Sequence, residues 1–381
     1  MSHSLRQKRN TFNRVDWAGL PMFGANSKFK ISRTRSIHSF VKLTPRSWSK
    51  VTFSLIDKVI DFTSIEKILH RLYKSDGRPP YSKLANLKAV LLQRVEGWQY
   101  DTTLVQKLHD IKEYRQFCGY KLGEAPSHDT ISRFKRTFPV KMLDQIFFRL
   151  DKELAALGTF KGDELAIDAT DITSHANPFK RTDAGAGVGH KSIKKHFYGY
   201  WELFTVGTKS ELVRLPPLTS PGNRHQINQM GDLLLALPRY THLDYNVITA
   251  DGIFDTKPIQ QYILDDLHKL PVINYNPRGS RYRRLEDLPK ENWHFFNPLL
   301  ADLPRYYATY NARTAVERFN GRFKDDLHSR HSNVRGLENN HKFVYFGILS
   351  SQLKALTLQY LIQSKQKTFQ LALSNFMGGT N

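Results

Sequence analysis

The segment ATYNARTAVERFNGRFKDDLHSRHS (308–332) spaces one aromatic, one acid and two bases in a way that could do chemistry: Tyr310, Arg313, Glu317 and Lys324. If the segment is one continuous helix at about 100° per residue, Tyr310, Arg313 and Lys324 lie roughly +20°, −40° and −20° from Glu317. That makes a polar stripe about 60° wide. Arg313 and Glu317 alone would fit an ordinary surface ion pair, worth about a few tenths of a kcal/mol. Two further acids close apolar runs: Asp168 follows Leu165-Ala166-Ile167, and Asp251 follows Val247-Ile248-Thr249-Ala250. Either one alone fits a cap or a turn. Acids at the carboxyl ends of buried strands, however, lie where open α/β sheets build their sites. Three carboxylates in a cation-rich chain suit a divalent metal better than acid–base chemistry. Mg²⁺ takes a few carboxylates plus substrate phosphates, and a metal pair clamps both oxygens of an in-line phosphoryl displacement.

The composition agrees with an anionic substrate. The 381 residues carry a formal net charge of +22 with 40% apolar residues. Such a balance points to nucleic acid, with an anionic membrane surface as the rival partner. A single cysteine, Cys118, excludes an internal disulfide framework and an all-cysteine zinc site, and fits a reducing cytosol. The first residues, MSHSLRQKRNTFNR, lack the apolar core of a signal peptide. The apolar stretch 342–363 is interrupted by Gln352, Lys354 and Gln359, so it reads as a core helix rather than a membrane span.

The elements that must position these residues divide the chain. Residues 1–50 hold one acid, Asp16, among many bases and read as a basic flexible arm. Helical periodicity fills 51–160, in SLIDKVIDFTSIEKILHRLY, SKLANLKAVLLQRVEGW, TTLVQKLHDIKEYRQFCGY, ISRFKRTF and MLDQIFFRLDKELAAL. In ISRFKRTF, Thr130 is a candidate cap, and Arg133 and Arg136 could face DNA in a helix-turn-helix arrangement. From 163 the period changes. ELAIDATDI, FYGYWELFTVG and ELVRLPPLT read as a strand meander, followed by helix, strand, helix, strand, a loop at 276–308 and the helix of the opening segment. This order predicts a mixed sheet with helices on its faces in an α/β region over 161–364, then a tail at 365–381. The basic, Gly-rich loop 177–196, with Lys191, Lys194 and Lys195, has no Walker-type phosphate loop and suits DNA-backbone contact. His190, His196 and His225 lack metal-ligand spacing.

These motifs together resemble the DDE transposases of bacterial insertion sequences, in the branch with a Tyr-Arg-Glu-Lys signature. Tyr310, Arg313, Glu317 and Lys324 show its Y-x2-R-x3-E-x6-K spacing. IDATDI and ADGIFD resemble the family's first- and second-aspartate segments, HFYGYWELF resembles its second strand, and the likeness covers about 80–350. The resemblance implies a ribonuclease H-like fold, with a mixed five-stranded sheet flanked by helices and an N-terminal helical domain that binds transposon ends. It implies Asp168, Asp251 and Glu317 as catalytic ligands of Mg²⁺, with Mn²⁺ able to substitute. Tyr310, Arg313 and Lys324 would hold the phosphates. The expected activity is cleavage at transposon ends and strand transfer into target DNA, by a homo-oligomer (a dimer on DNA) in a cytoplasmic, nucleoid-associated setting. The alternatives are a ribonuclease H-like nuclease without strand transfer, and a DNA-binding descendant without catalysis.

Overall fold

A strand of ten residues, β1 (Leu165–Ser174), is the central strand of the sheet. Its side chains alternate between two cores: Ala166 and Ile172 enter one, Leu165 and Ile167 the other. The computed structural model describes residues 51–70, 81–192, 194–278, 281–287, 289, 299 and 302–377, with side chains as far as 365. The basic arm 1–50 and part of the 276–308 loop lie outside the described residues.

Five strands follow the order β2-β3-β1-β5-β6, with β2 Gly187–Ser192, β3 Lys195–Gly207, β5 Val247–Ala250 and β6 Leu270–Ile273. β3 runs antiparallel to β1 and β2, whereas β5 and β6 run parallel to β1. Two short strands are added at the margins: β4 (Leu218–Pro221) on β3, and β7 (His331–Ser332) on the far end of β1. The sheet is mixed, as expected from the element order, but one strand differs from expectation. ELVRLPPLT contributes only its last two residues to β4, and the new strand β2 comes from the Gly-rich stretch expected to be a loop. Glu211 sits at φ 55, and Pro216 and Pro217 have no N–H to donate, so that segment cannot run as a continuous ladder.

On one face of the sheet lie α1 (Phe53–Val59), α2 (Thr63–Leu69), α3 (Lys83–Glu96), α4 (Asp101–Asp110), α5 (Lys112–Cys118), α6 (His128–Thr137) and α7 (Val140–Ala156). They share a single apolar cluster with α11 (Thr314–Asp325) and α12 (Leu337–Met377). In α7, Met142, Leu143, Ile146, Phe147, Leu150 and Leu154 recur at the three- and four-residue spacing that lines one helix face. The helix α12 is 41 residues long and runs on through most of the expected tail; its segment from Val344 to Leu358 is almost wholly buried. No helix among the described residues is long and apolar enough to cross a membrane. The other face carries α8 (Gln226–Ala236) and α9 (Lys257–Gln261), and α10 (Leu303–Asn311) covers β6. Two expected helices are each broken in two, at Ile60–Phe62 and at Ile111. The α6 cap is Ser127, whose hydroxyl accepts from the Thr130 N–H at 3.3 Å, rather than Thr130 itself.

Candidate active site

The site begins where β5 stops. β1 and β5 are paired as Leu165↔Ile248, Ala166↔Thr249 and Ile167↔Ala250, and the next step of the same register is Asp168 and Asp251. Partners in a parallel pair face the same side on strands about 4.8 Å apart, so the two carboxyls share one face. Asp251 leaves the strand because its Oδ1 accepts from the Gly252 N–H at 2.8 Å and starts the 3₁₀ turn Gly252–Phe254. A side chain at 252 would press on the Asn274 carbonyl at 3.2 Å, which makes glycine the fitting residue there. Asp168 is not at a strand end, as the apolar run suggested. It is the fourth residue of β1, which continues to Ser174 against β3 after β5 has left.

The opposing wall is α11. Phe319 and Phe323 pack on Phe204 of β3 with ring centroids 5.2 and 5.1 Å apart, fixing the helix over the sheet face that bears Asp168. Asn320 donates its Nδ2 to Asp168 Oδ2 at 3.2 Å, while its Oδ1 is buried with no partner. Glu211, fully buried on the loop after β3, binds Arg318 at 2.7 Å and also Arg322, one turn further along α11. This clamp fixes the helix register from the side away from Asp168. Removing one partner of a buried ion pair is costly, though the Arg318 side chain is 44% exposed and softens the loss. Glu211→Ala is expected to lower stability by about 2–3 kcal/mol in denaturant melts. Glu211→Gln should keep more stability than Glu211→Ala, because it still accepts hydrogen bonds.

The polar stripe survives in altered form. The segment is not one helix: α10 ends at Asn311 and α11 begins at Thr314, with Arg313 as its N-cap. Successive i→i−3 bonds, from Arg313 N to the Tyr310 carbonyl at 2.8 Å and from Val316 N to the Arg313 carbonyl at 3.0 Å, tighten the junction into a 3₁₀-like turn. The chain therefore keeps turning the same way. Arg313 still lies 5.4 Å from the Tyr310 ring centroid and donates Nη2 to Glu317 Oε1 at 2.5 Å. Lys324 keeps to the same face of α11, two turns beyond Glu317. Its Nζ is 2.9 Å from Asp171 Oδ1, and Lys191 of β2 holds the other oxygen of Asp171 at 2.6 Å.

The electrostatics bind the group together. Burial pushes the Asp168 carboxyl up to about 7; Arg313 opposes this, and Asp251 and Glu317 add to it. Burial works against the Arg313 charge, but Tyr310, Glu317, Asp251 and Asp168 together hold it above its ordinary value. Among the described residues no three acids or histidines stand close enough, as they are, to enclose a metal. The donor set nevertheless fits a hard divalent cation. It offers three carboxylates with one guanidinium between them, a mutual repulsion that a cation relieves, and an orphaned amide oxygen at Asn320.

The remaining expected contacts are dispersed. Lys194 and Lys195 lie exposed at the β2–β3 hairpin tip, Arg133 is exposed on α6, and Arg136 lines a cleft elsewhere. His190 and His196 face each other across the hairpin with ring centroids 4.5 Å apart. Sequence reasoning missed Asn320, which its three-residue spacing from Glu317 could have revealed. It gave no role to Asp171, and it had no signal for Glu211.

A mixed α/β sheet with acids where two parallel strands part, faced by a helix carrying a third acid, is the frame of a ribonuclease H-like fold. Residues 159–353 match the Transposase DDE domain family, and residues 46–137 match the Transposase domain (DUF772). The chain belongs to the DDE transposases: it is an enzyme that transposes DNA, in a family that works with divalent metal ions. Among solved structures it is similar to the cryo-EM structure of a piggyBac transposase synaptic complex with hairpin DNA. The TM-score is 0.43 at 13% identity, over 87% of this chain and 78% of that one.

Proposed function

We propose that Asp168, Asp251 and Glu317 hold two Mg²⁺ ions, with Mn²⁺ able to replace them, and that the chain mobilises a bacterial insertion sequence of the Tyr-Arg-Glu-Lys branch. The observation that carries this reading is the register: Asp168 and Asp251 are the first pair beyond the last β1–β5 contact, with Glu317 and Arg313 within electrostatic reach. When bound, the metals would lower the cost of ionising the attacking hydroxyl or water and neutralise charge on the leaving oxygen. The residues of the chain do the rest. Arg313, whose Nη2 holds Glu317 and whose charge acts on Asp168, would take a phosphate oxygen of the terminal nucleotide. Tyr310 packs against that guanidinium and limits its movement. Asn320 holds Asp168 in place. The first in-line transfer would cut the element end, and the freed 3′-hydroxyl would attack target DNA in the second. The helical region 51–160, with Arg133 and Arg136, would bind the ends, and a dimer on DNA would bring two ends together. An assay with pre-cut ends tests the reading: strand transfer with Mg²⁺ supports it, and cutting without joining would reduce the protein to a nuclease.

Lys324 enters this reading through Asp171. Lys324→Ala is expected to slow cleavage about 10–10³-fold, by loosening the grip on the terminal phosphates, while the metal requirement stays unchanged. Arg313→Ala should weaken end binding in the same way. A changed Mn²⁺ requirement in Arg313→Ala with normal end affinity would instead show that Arg313 serves only as the ion-pair partner of Glu317.

A further inference from the structure

Away from the carboxylates, the end of α3, the start of α4, the second half of α6, residues 333–335 and the start of α12 enclose a cleft of about 720 Å³. Its charge is one-sided. Arg94, Lys135, Arg136, Arg335 and Lys342 line it against a single acid, Asp101. Lys135 is spent on Asp101, and Lys342 on Glu338 at 2.7 Å. Arg136 and Arg335 are exposed and pair with no acid among the described residues.

Arg94 is the stronger signal. Its side chain is 7% exposed and stacked on Phe343 at 4.0 Å, and Nη2 donates to Ser329. Its Nε is buried with no partner. Burial pulls this guanidinium below its ordinary value, and no carboxylate offsets the cost. A buried arginine with a spare donor and no acid is a site that lacks its anion. The backbone around it is tightly built as well: Gly97 caps α3 at φ 75, and any side chain there would strike His328.

The cleft lies toward the far end of β1. A narrow extension, sharing Arg94, Trp98, Asn333 and Phe343, reaches His175, the residue that follows β1. From Asp168 to the end of β1 at about 3.3 Å per residue is about 20 Å, or about six nucleotide steps of a duplex. We propose that the cleft is a second DNA-backbone subsite, in which Arg94, Arg136 and Arg335 take a phosphodiester about six or more nucleotides from the bond that is cut. This rests on the carboxylates being the place of cutting, but its test needs no cutting.

The full chain carrying Asp168→Ala, which leaves the cleft untouched, would be titrated with a terminal duplex taken from the DNA flanking its gene. Arg136→Ser and Arg335→Ser are each expected to flatten the slope of log affinity against log salt by about 0.9. Lys121→Ser, an exposed lysine outside the cleft, should leave the slope unchanged. Uncharged methylphosphonate linkages placed one at a time along the duplex should weaken binding about five- to tenfold at one position, about the sixth step from the terminus or beyond, and the Arg136→Ser Arg335→Ser double variant should lose that sensitivity. An unchanged slope, a methylphosphonate profile that the double variant retains, or displacement of the duplex by a millimolar mononucleotide would each overturn the proposal. Failure of cleavage in the parent protein, with these binding results intact, would count against the carboxylate reading alone.

Discussion

Replacing Asp168, Asp251 or Glu317 by alanine is expected to abolish cleavage while leaving affinity for the element ends within about threefold. The asymmetry comes from position. All three acids lie on one wall at the parting of β1 and β5 or on the facing helix, and none pairs with a basic residue of the proposed DNA-backbone cleft. Losing a metal ligand removes charge stabilisation worth several kcal/mol, and each ~1.4 kcal/mol is tenfold in rate, so the loss should reach about 10³-fold or more. Asp168→Ala also frees the Asn320 amide, and Glu317→Ala frees Arg313. Asp168→Asn and Glu317→Gln are therefore the cleaner pair, since they keep volume and hydrogen bonding while removing charge. Gel-shift and single-turnover cleavage measurements on the same preparations check the split. Near-wild-type cleavage with Mg²⁺ in any one variant would remove that residue from the site.

Metal affinity should fall steeply on mild acidification. Because burial, Asp251 and Glu317 hold the Asp168 carboxyl up to about 7, a cation arriving below that pH must displace a proton. The apparent affinity is expected to drop by about tenfold per pH unit below 7, hence about 100-fold between pH 7 and 5. The same shift has a sign for stability in the metal-free protein. Between about 4 and 7 the folded chain keeps this proton while the unfolded chain, with an ordinary aspartate, has released it. Stability from this group is therefore present at low pH and lost as pH rises through about 7, the reverse of a salt-bridged aspartate. Asp168→Asn should flatten both curves. Calorimetric Mn²⁺ titrations and thermal melts across pH 5–8 read them, and a pH-independent metal affinity in the parent would defeat the expectation.

Much of the acid-lined wall was legible from residue type alone. Apolar runs ending in acids mark buried strands, because a carboxylate interrupts a run that otherwise sits on both faces of a sheet. The spacing of Tyr310, Arg313 and Glu317 survives because helical and 3₁₀ turns rotate the chain in the same sense, so near neighbours stay neighbours even across the junction between α10 and α11. Lys324, seven residues from Glu317 on the same unbroken helix, keeps to that stripe two turns further on. What periodicity could not supply is its partner: Lys324 reaches Asp171 on β1, a choice set by the packing of α11 on the sheet.

Three features were decided only by the tertiary structure. The depth of Asp168 within β1 depends on where β5 stops pairing, which no run of residues announces. The Glu211 clamp joins residues separated by more than a hundred positions, and its carboxylate lies in a segment expected to be a strand. The basic cleft gathers Arg94, Arg136 and Arg335 from three distant segments. In the sequence only Arg136 stands out, as a candidate DNA contact; burial of Arg94, exposure of the other two and the lack of an acid paired with them are properties of packing. Sequence determines which groups are available for chemistry and the faces that local turns give them. Which of them meet, and which charges are left without partners, follows from long-range contacts whose closure entropy is offset only by the whole core.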